Sequence, residues 1–244
     1  MPNTTPIRDL LEMLASRAWS KPCYDPSGDY LLRPSAFEMH ITPESLRQAL
    51  GKMYEHARYW APGLEIPYFV PPVRIADLTA EAGHFVVDEE SYASVAVAQE
   101  FTVSQDAVLT ILAHEACHHI LLQSGLDQSK DTALNEITTD LTTFVCGFGD
   151  IVQRGRSIIR HSESCYSRVH LGYLKGYEYD FAYQFVLSRR LARGLPGVRP
   201  QTNSRGAGWF WKVWQGLFRG SYGGRDGLLE KVLKETERRQ RTGN

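Results

Sequence analysis

The sequence predicts an α+β fold, in which a small antiparallel sheet packs beside a mainly helical core. Three observations carry this prediction. Three short runs rich in Val, Ile or Phe stand close together in the first half of the chain. Segments with apolar residues at helical spacing flank them on both sides. The 244 residues are 43% hydrophobic and 23% charged, the balance of a globular chain long enough to bury a sizeable core.

The elements are expected in the following order. Residues 7–19 read as a short amphipathic helix, and residues 21–36, rich in Pro, Gly, Asp and Ser, as a loop. Thr42-Pro43-Glu44 is a helix start, a capping residue followed by Pro at the first helical position. That helix is expected to run to about Trp60 and stop near Pro62-Gly63. The strand-like runs are Val73–Leu78, His84–Asp88 and Ser94–Phe101, and their short spacing favours antiparallel pairing. The periodicity then becomes helical over about 105–123, with Ser104 or Thr102 as cap. Val108, Ile111, Leu112, Ile120 and Leu121 suit one buried face, and Gly125 is a stop. A second helix is expected from about Lys130 to Phe144 or beyond, with further helical segments near 151–160 and 177–193.

Charge is unevenly distributed. Residues 1–184 hold 14 Lys/Arg against 24 Asp/Glu, and residues 185–244 hold 13 against 4. The basic end carries an aromatic cluster, Trp209, Phe210, Trp211, Trp214 and Phe218. Basic and aromatic residues together can bind nucleic acid, but an element docked on the acidic body explains them equally, and that reading is preferred. The expected division is therefore a main domain over 1–200 and a docked basic, aromatic segment over 201–244. The four cysteines form no CxxC pair and read as reduced thiols. The first twenty residues contain Arg8, Asp9 and Glu12 and do not resemble a secretory signal, and no run of about 18 apolar residues occurs. A cytoplasmic protein without membrane partners is expected.

The chemistry-bearing pattern is His114-Glu115-Ala116-Cys117-His118, an HExxH motif inside a predicted helix. Residues four apart share a helix face, so both imidazoles can reach one metal ion, with Glu115 close enough to touch a water on that metal. A catalytic zinc takes three protein ligands and keeps one open position. The next predicted helix supplies candidates in Asn135-Glu136-Ile137-Thr138-Thr139-Asp140. Glu136 and Asp140 share a face; one carboxylate can bind the metal, and the other can accept the remaining N–H of a ligand histidine.

HEACH followed by NEITTD resembles the gluzincin metallopeptidases of the thermolysin type, over about residues 104–148. The resemblance implies a zincin-like core with His114, His118 and Glu136 as zinc ligands and Glu115 as general base. It further implies Asp140 as partner of His114 and Asn135 as partner of His118. It also implies an oxyanion donor downstream, for which Tyr173 and His170 are preferred over His161, Tyr177, Tyr179 and Tyr183. Later stretches, including GYLKGYEYDFAYQF, are similar to small bacterial HExxH proteins. The expected function is hydrolysis of a peptide bond in a protein or peptide substrate, with Zn2+ as cofactor.

Other readings compete with this one. A plain core helix would bury two His and two carboxylates at high cost without a cation. A di-iron carboxylate bundle needs a second Glu-x-x-His, and Glu136 is followed at that spacing by Thr139. Imidazole and carboxylate also suit iron or nickel. His119 and Cys117 point away from the motif's face and read as packed residues. Ser94-Val95-Ala96-Val97-Ala98 is the candidate exposed edge for pairing with an extended peptide. The competing function is a non-catalytic regulatory module that acts through its C-terminus.

Overall fold

A computed structural model of the chain describes residues 5–23, 28–79, 81–90, 92–127, 131–161 and 166–197. The expected boundary near residue 200 and the docking of 201–244 lie outside these residues. The architecture is mixed helix and strand: α1 (Thr5–Ala18), α2 (Pro43–Trp60), β1 (Val73–Ala76), β2 (Gly83–Val87), β3 (Ala93–Ala98), α3 (Gln105–Gln123), α4 (Thr132–Val145), α5 (Gly149–Gly155), β4 (Ser157–His161), β5 (Tyr166–His170) and α6 (Gly176–Ala192). No helix among the described residues is long and apolar enough to cross a membrane.

Helix α3 is the axis of the fold. It packs against α2, α4 and α5 and against strands β2 and β3. Because neighbours surround it, it buries more than the single expected face. Ala107, Leu109, Ala113, Ala116 and Cys117 are enclosed together with Val108, Ile111, Leu112, Ile120 and Leu121. Between Ala107 and Leu121 only His114 and His118 are not buried. Its start is fixed by Ser104, whose Oγ accepts from the Ala107 N–H at 3.3 Å. Its end turns at Gly125, φ 63°, where the Leu126 N–H reaches the Leu121 carbonyl at 2.9 Å.

The three-stranded sheet departs from expectation. Its order is β1-β3-β2, with β3 antiparallel to β2 but parallel to β1. The chain reverses at each connection, so β1 and β3 run the same way. By inserting between the other two strands, β3 makes one pairing of each kind. The stretch 94–98 is thus the buried centre of the sheet, not an exposed edge. Small, β-branched residues there reflect burial on both sides.

The region expected as a helix near 151–160 is half strand. Helix α5 stops at Gly155, where an added Cβ would lie 2.0 Å from the Asp106 carbonyl oxygen. The β-branched Ile158-Ile159 pair then leads into a hairpin, with Ile158 opposite Val169.

Candidate metal centre

Helices α3 and α4 pack together and bring the two halves of the motif into one place. Asp131 caps α4 by accepting from the Leu134 N–H at 3.0 Å, which sets the register of Glu136, Thr139 and Asp140 facing α3. Glu136 Oε2 lies 3.0 Å from His114 Nε2 and 3.2 Å from His118 Nε2, and the two Nε2 atoms are 3.1 Å apart. His114, His118 and Glu136 thus form a group that could hold a metal ion. Ligand atoms on a tetrahedral zinc are roughly 3.3 Å apart, given bonds of about 2.0–2.1 Å. The spacing fits such an ion. Two imidazole lone pairs this close to each other and to a carboxylate require a shared cation, whether a proton or a metal.

The tautomers favour the metal. Asp140 Oδ1 accepts from His114 Nδ1 at 2.8 Å. Thr139 spends its own hydrogen on the Asn135 carbonyl at 2.8 Å, so its oxygen accepts from His118 Nδ1 at 3.2 Å. With an ion bound, both imidazoles would be N–H at Nδ1 and present Nε2 lone pairs to the shared point. Asn135 lines the cleft, and Thr139, which sequence reasoning passed over, meets His118 at Nδ1. Its signal was present, since Thr139 lies three residues after Glu136 and one before Asp140, on the same helix face.

The charges follow from these contacts. Burial disfavours protonated His114, but hydrogen bonds to Asp140 and Glu136 and the nearby carboxylates outweigh it and push its pKa up to about 10. Burial raises Glu136, and the hydrogen bonds to His114 and His118 overcome this and bring it down to about 2. Burial likewise pushes the Glu115 carboxyl up, although His114 and His118 pull the other way. Glu115 is 5% exposed and is packed against strand β2 at Gly83. A Cβ on Gly83 would sit 2.5 Å from Glu115 Oε1 and 2.4 Å from Ile111 Cγ2, so glycine is required for β2 to approach the helix. No sequence argument singled out Gly83.

The cluster opens into a cleft of about 670 Å3, also lined by Tyr173 and His170. The Tyr173 ring stacks on His114 with centroids 5.9 Å apart and planes at 25°, and the side chain is 59% exposed. Partial burial and the charges of Glu136 and Glu115 hold its hydroxyl above the ordinary tyrosine range. His170 is exposed at the end of β5. The remaining oxyanion candidates are engaged elsewhere. The Tyr177 hydroxyl donates to Glu178 at 3.1 Å, Tyr179 to Asp140 at 2.8 Å and Tyr183 to Asp150 at 2.6 Å. The His161 side chain lies outside the described residues. Glu178 caps α6, accepting from the Lys175 N–H at 2.7 Å. His119 is buried, bonded to the Tyr54 hydroxyl at 2.9 Å and stacked on Phe85, and Cys117 is a buried thiol.

No family model, no curated protein and no solved structure matches this chain.

Proposed function

We propose that this protein is a zinc-dependent peptidase of the gluzincin type, with His114, His118 and Glu136 holding the ion and Glu115 acting as general base. One observation carries the reading. Two Nε2 lone pairs and one carboxylate oxygen meet within 3.0–3.2 Å of each other, beside a buried carboxylate, in an open cleft. Zinc is preferred because two imidazoles and one carboxylate with a remaining open position form a hydrolytic zinc set.

The ion would polarise the substrate carbonyl and lower the pKa of the attacking water. Glu115, whose carboxyl burial pushes up, takes the proton from that water and delivers it to the leaving amine. Tyr173, stacked on His114 with its side chain exposed in the cleft, is the preferred donor to the developing oxyanion, and His170 is the second candidate. Strand β2 lines the same cleft, and its outer edge is unpaired among the described residues. An extended peptide pairs there, in place of the strand first expected to serve.

The test uses purified full-length protein. Metal analysis should find about one zinc per chain, lost in H114A and H118A. A peptide-library digest should show chelator-sensitive cleavage. Glu115→Gln should keep the zinc while cleavage falls by roughly 100-fold or more. Full cleavage by E115Q would refute the assignment of the base.

A further inference from the structure

Asp140 is held from outside its own helix more strongly than a histidine partner requires. One oxygen, Oδ1, serves His114. The other, Oδ2, accepts three hydrogen bonds from the segment that follows the β4–β5 hairpin. The Tyr173 N–H lies at 2.6 Å, the Leu174 N–H at 3.1 Å and the Tyr179 hydroxyl at 2.8 Å. Asp140 is 3% exposed and Tyr179 is 3% exposed, so water does not substitute for these donors.

The turn is shaped to permit this arrangement. Gly172 has φ 90°, a conformation that favours glycine. A Cβ there would lie 1.8 Å from the Tyr179 hydroxyl and 2.9 Å from Asp140 Oδ2. Only a glycine lets the phenol reach the carboxylate. Tyr179 is buried, and its partner Asp140 orients a proposed metal ligand.

We infer that Tyr179 is a positioning residue for the metal centre: its hydroxyl fixes the Asp140 carboxylate, and the carboxylate in turn sets the tautomer and orientation of His114. The inference rests on the reading of His114 as a metal ligand. It adds a third layer behind that ligand, drawn from α6 and the hairpin segment rather than from the HExxH and NExxTD helices. Outer partners of metal-binding histidines tune affinity, typically by about 10- to 100-fold. The same bonds place Tyr173, so one network sets both the metal ligand and a wall of the cleft.

The experiment measures zinc affinity by competition with a chromophoric chelator, and the visible spectrum of the cobalt-loaded protein, in Tyr179→Phe, Tyr183→Phe, Asp140→Asn and the double variant Y179F/D140N. Y183F is the control, because Tyr183 lies on the same helix and donates to Asp150, away from the cluster. The expected result is that Y179F weakens zinc binding by about 10-fold and shifts the cobalt spectrum, while Y183F does neither. In the D140N background, Y179F should add no further loss, because its effect passes through Asp140. Wild-type affinity and an unchanged cobalt spectrum in Y179F, with a stability loss equal to that of Y183F, would reduce Tyr179 to core packing and overturn the inference alone. Unmodified protein that takes up no zinc or cobalt would overturn the metal reading and this inference with it.

Discussion

At the residue scale, the proposed metal centre holds a proton that an ion would have to displace. In the metal-free chain His114 is pushed up to about 10 and Glu136 down to about 2, so near neutrality the pair is an imidazolium against a carboxylate. A cation can bind only when that proton leaves. Zinc uptake at pH 7 should therefore release about one proton, and apparent affinity should rise with pH until the raised His114 pKa is passed. Calorimetry in two buffers of different ionisation enthalpy counts the proton directly. Release of none would mean that His114 is neutral before the metal arrives. The roles of the two histidine partners differ at this scale as well. Asp140 offers a carboxyl oxygen behind His114, whereas Thr139 offers a hydroxyl oxygen behind His118, so the two proposed ligands are electronically unequal.

At the element scale, the approach of β2 to α3 decides whether Glu115 is buried. Gly83 sets that approach, since any side chain there collides with Ile111 and Glu115. Gly83→Ala should cost about 1–3 kcal/mol in stability, in the range of overpacked cores. If the proposed activity holds, it should also reduce cleavage while zinc stoichiometry stays at that of the unmodified protein, because the proposed ligands are on α3 and α4. Thermal unfolding and metal analysis of one preparation read both outcomes, and an unchanged melting temperature would contradict the close contact. Helices α2 and α3 were legible in the sequence because each carries its own boundary signals, Thr42-Pro43 for α2 and Ser104 and Gly125 for α3. The β4–β5 hairpin was not legible. Its strands take their identity from pairing with each other, and apolar residues at 151–159 fit a helix equally well.

At the scale of the whole molecule, two buried neutral histidines link stability to acid. Burial lowers the pKa of His56, whose Nε2–H donates to the Tyr30 carbonyl at 2.8 Å, to about 4. Burial lowers His119 to about 4 as well. Both folded values are below the unfolded value of 6.5, so their stability contribution is complete above pH 6.5 and is lost as pH falls toward 4. Each histidine changes stability by at most about 1.4 kcal/mol per pH unit in that window. Burial also pushes the Glu115 carboxyl up, which acts in the opposite direction. Urea midpoints of metal-free protein should fall between pH 6.5 and 4.5, and a flat profile would show that neither histidine is held neutral. The cleft also has a charge character. Its described lining contains Glu81, Glu100 and Asp127 beyond the central carboxylates, and no Lys or Arg. If the proposed activity holds, peptides with Lys or Arg near the cleaved bond should be hydrolysed faster than acidic ones, and added salt should narrow the difference. Equal rates at low salt would remove charge from the specificity.

The sequence by itself determined the helical halves of the site, because a four-residue spacing on one helix face is a local property. It indicated His114, His118, Glu115, Glu136 and Asp140, along with the bounds of α2, α3 and α4. Tertiary structure alone decided that β3 lies between β1 and β2, that Gly83 brings a strand onto Glu115, and that Thr139 meets His118. It also decided that Tyr179 reaches Asp140 across 39 residues of chain. These are contacts between segments far apart in sequence. They depend on how each element's whole surface packs against its neighbours, and no local pattern of residue types encodes that.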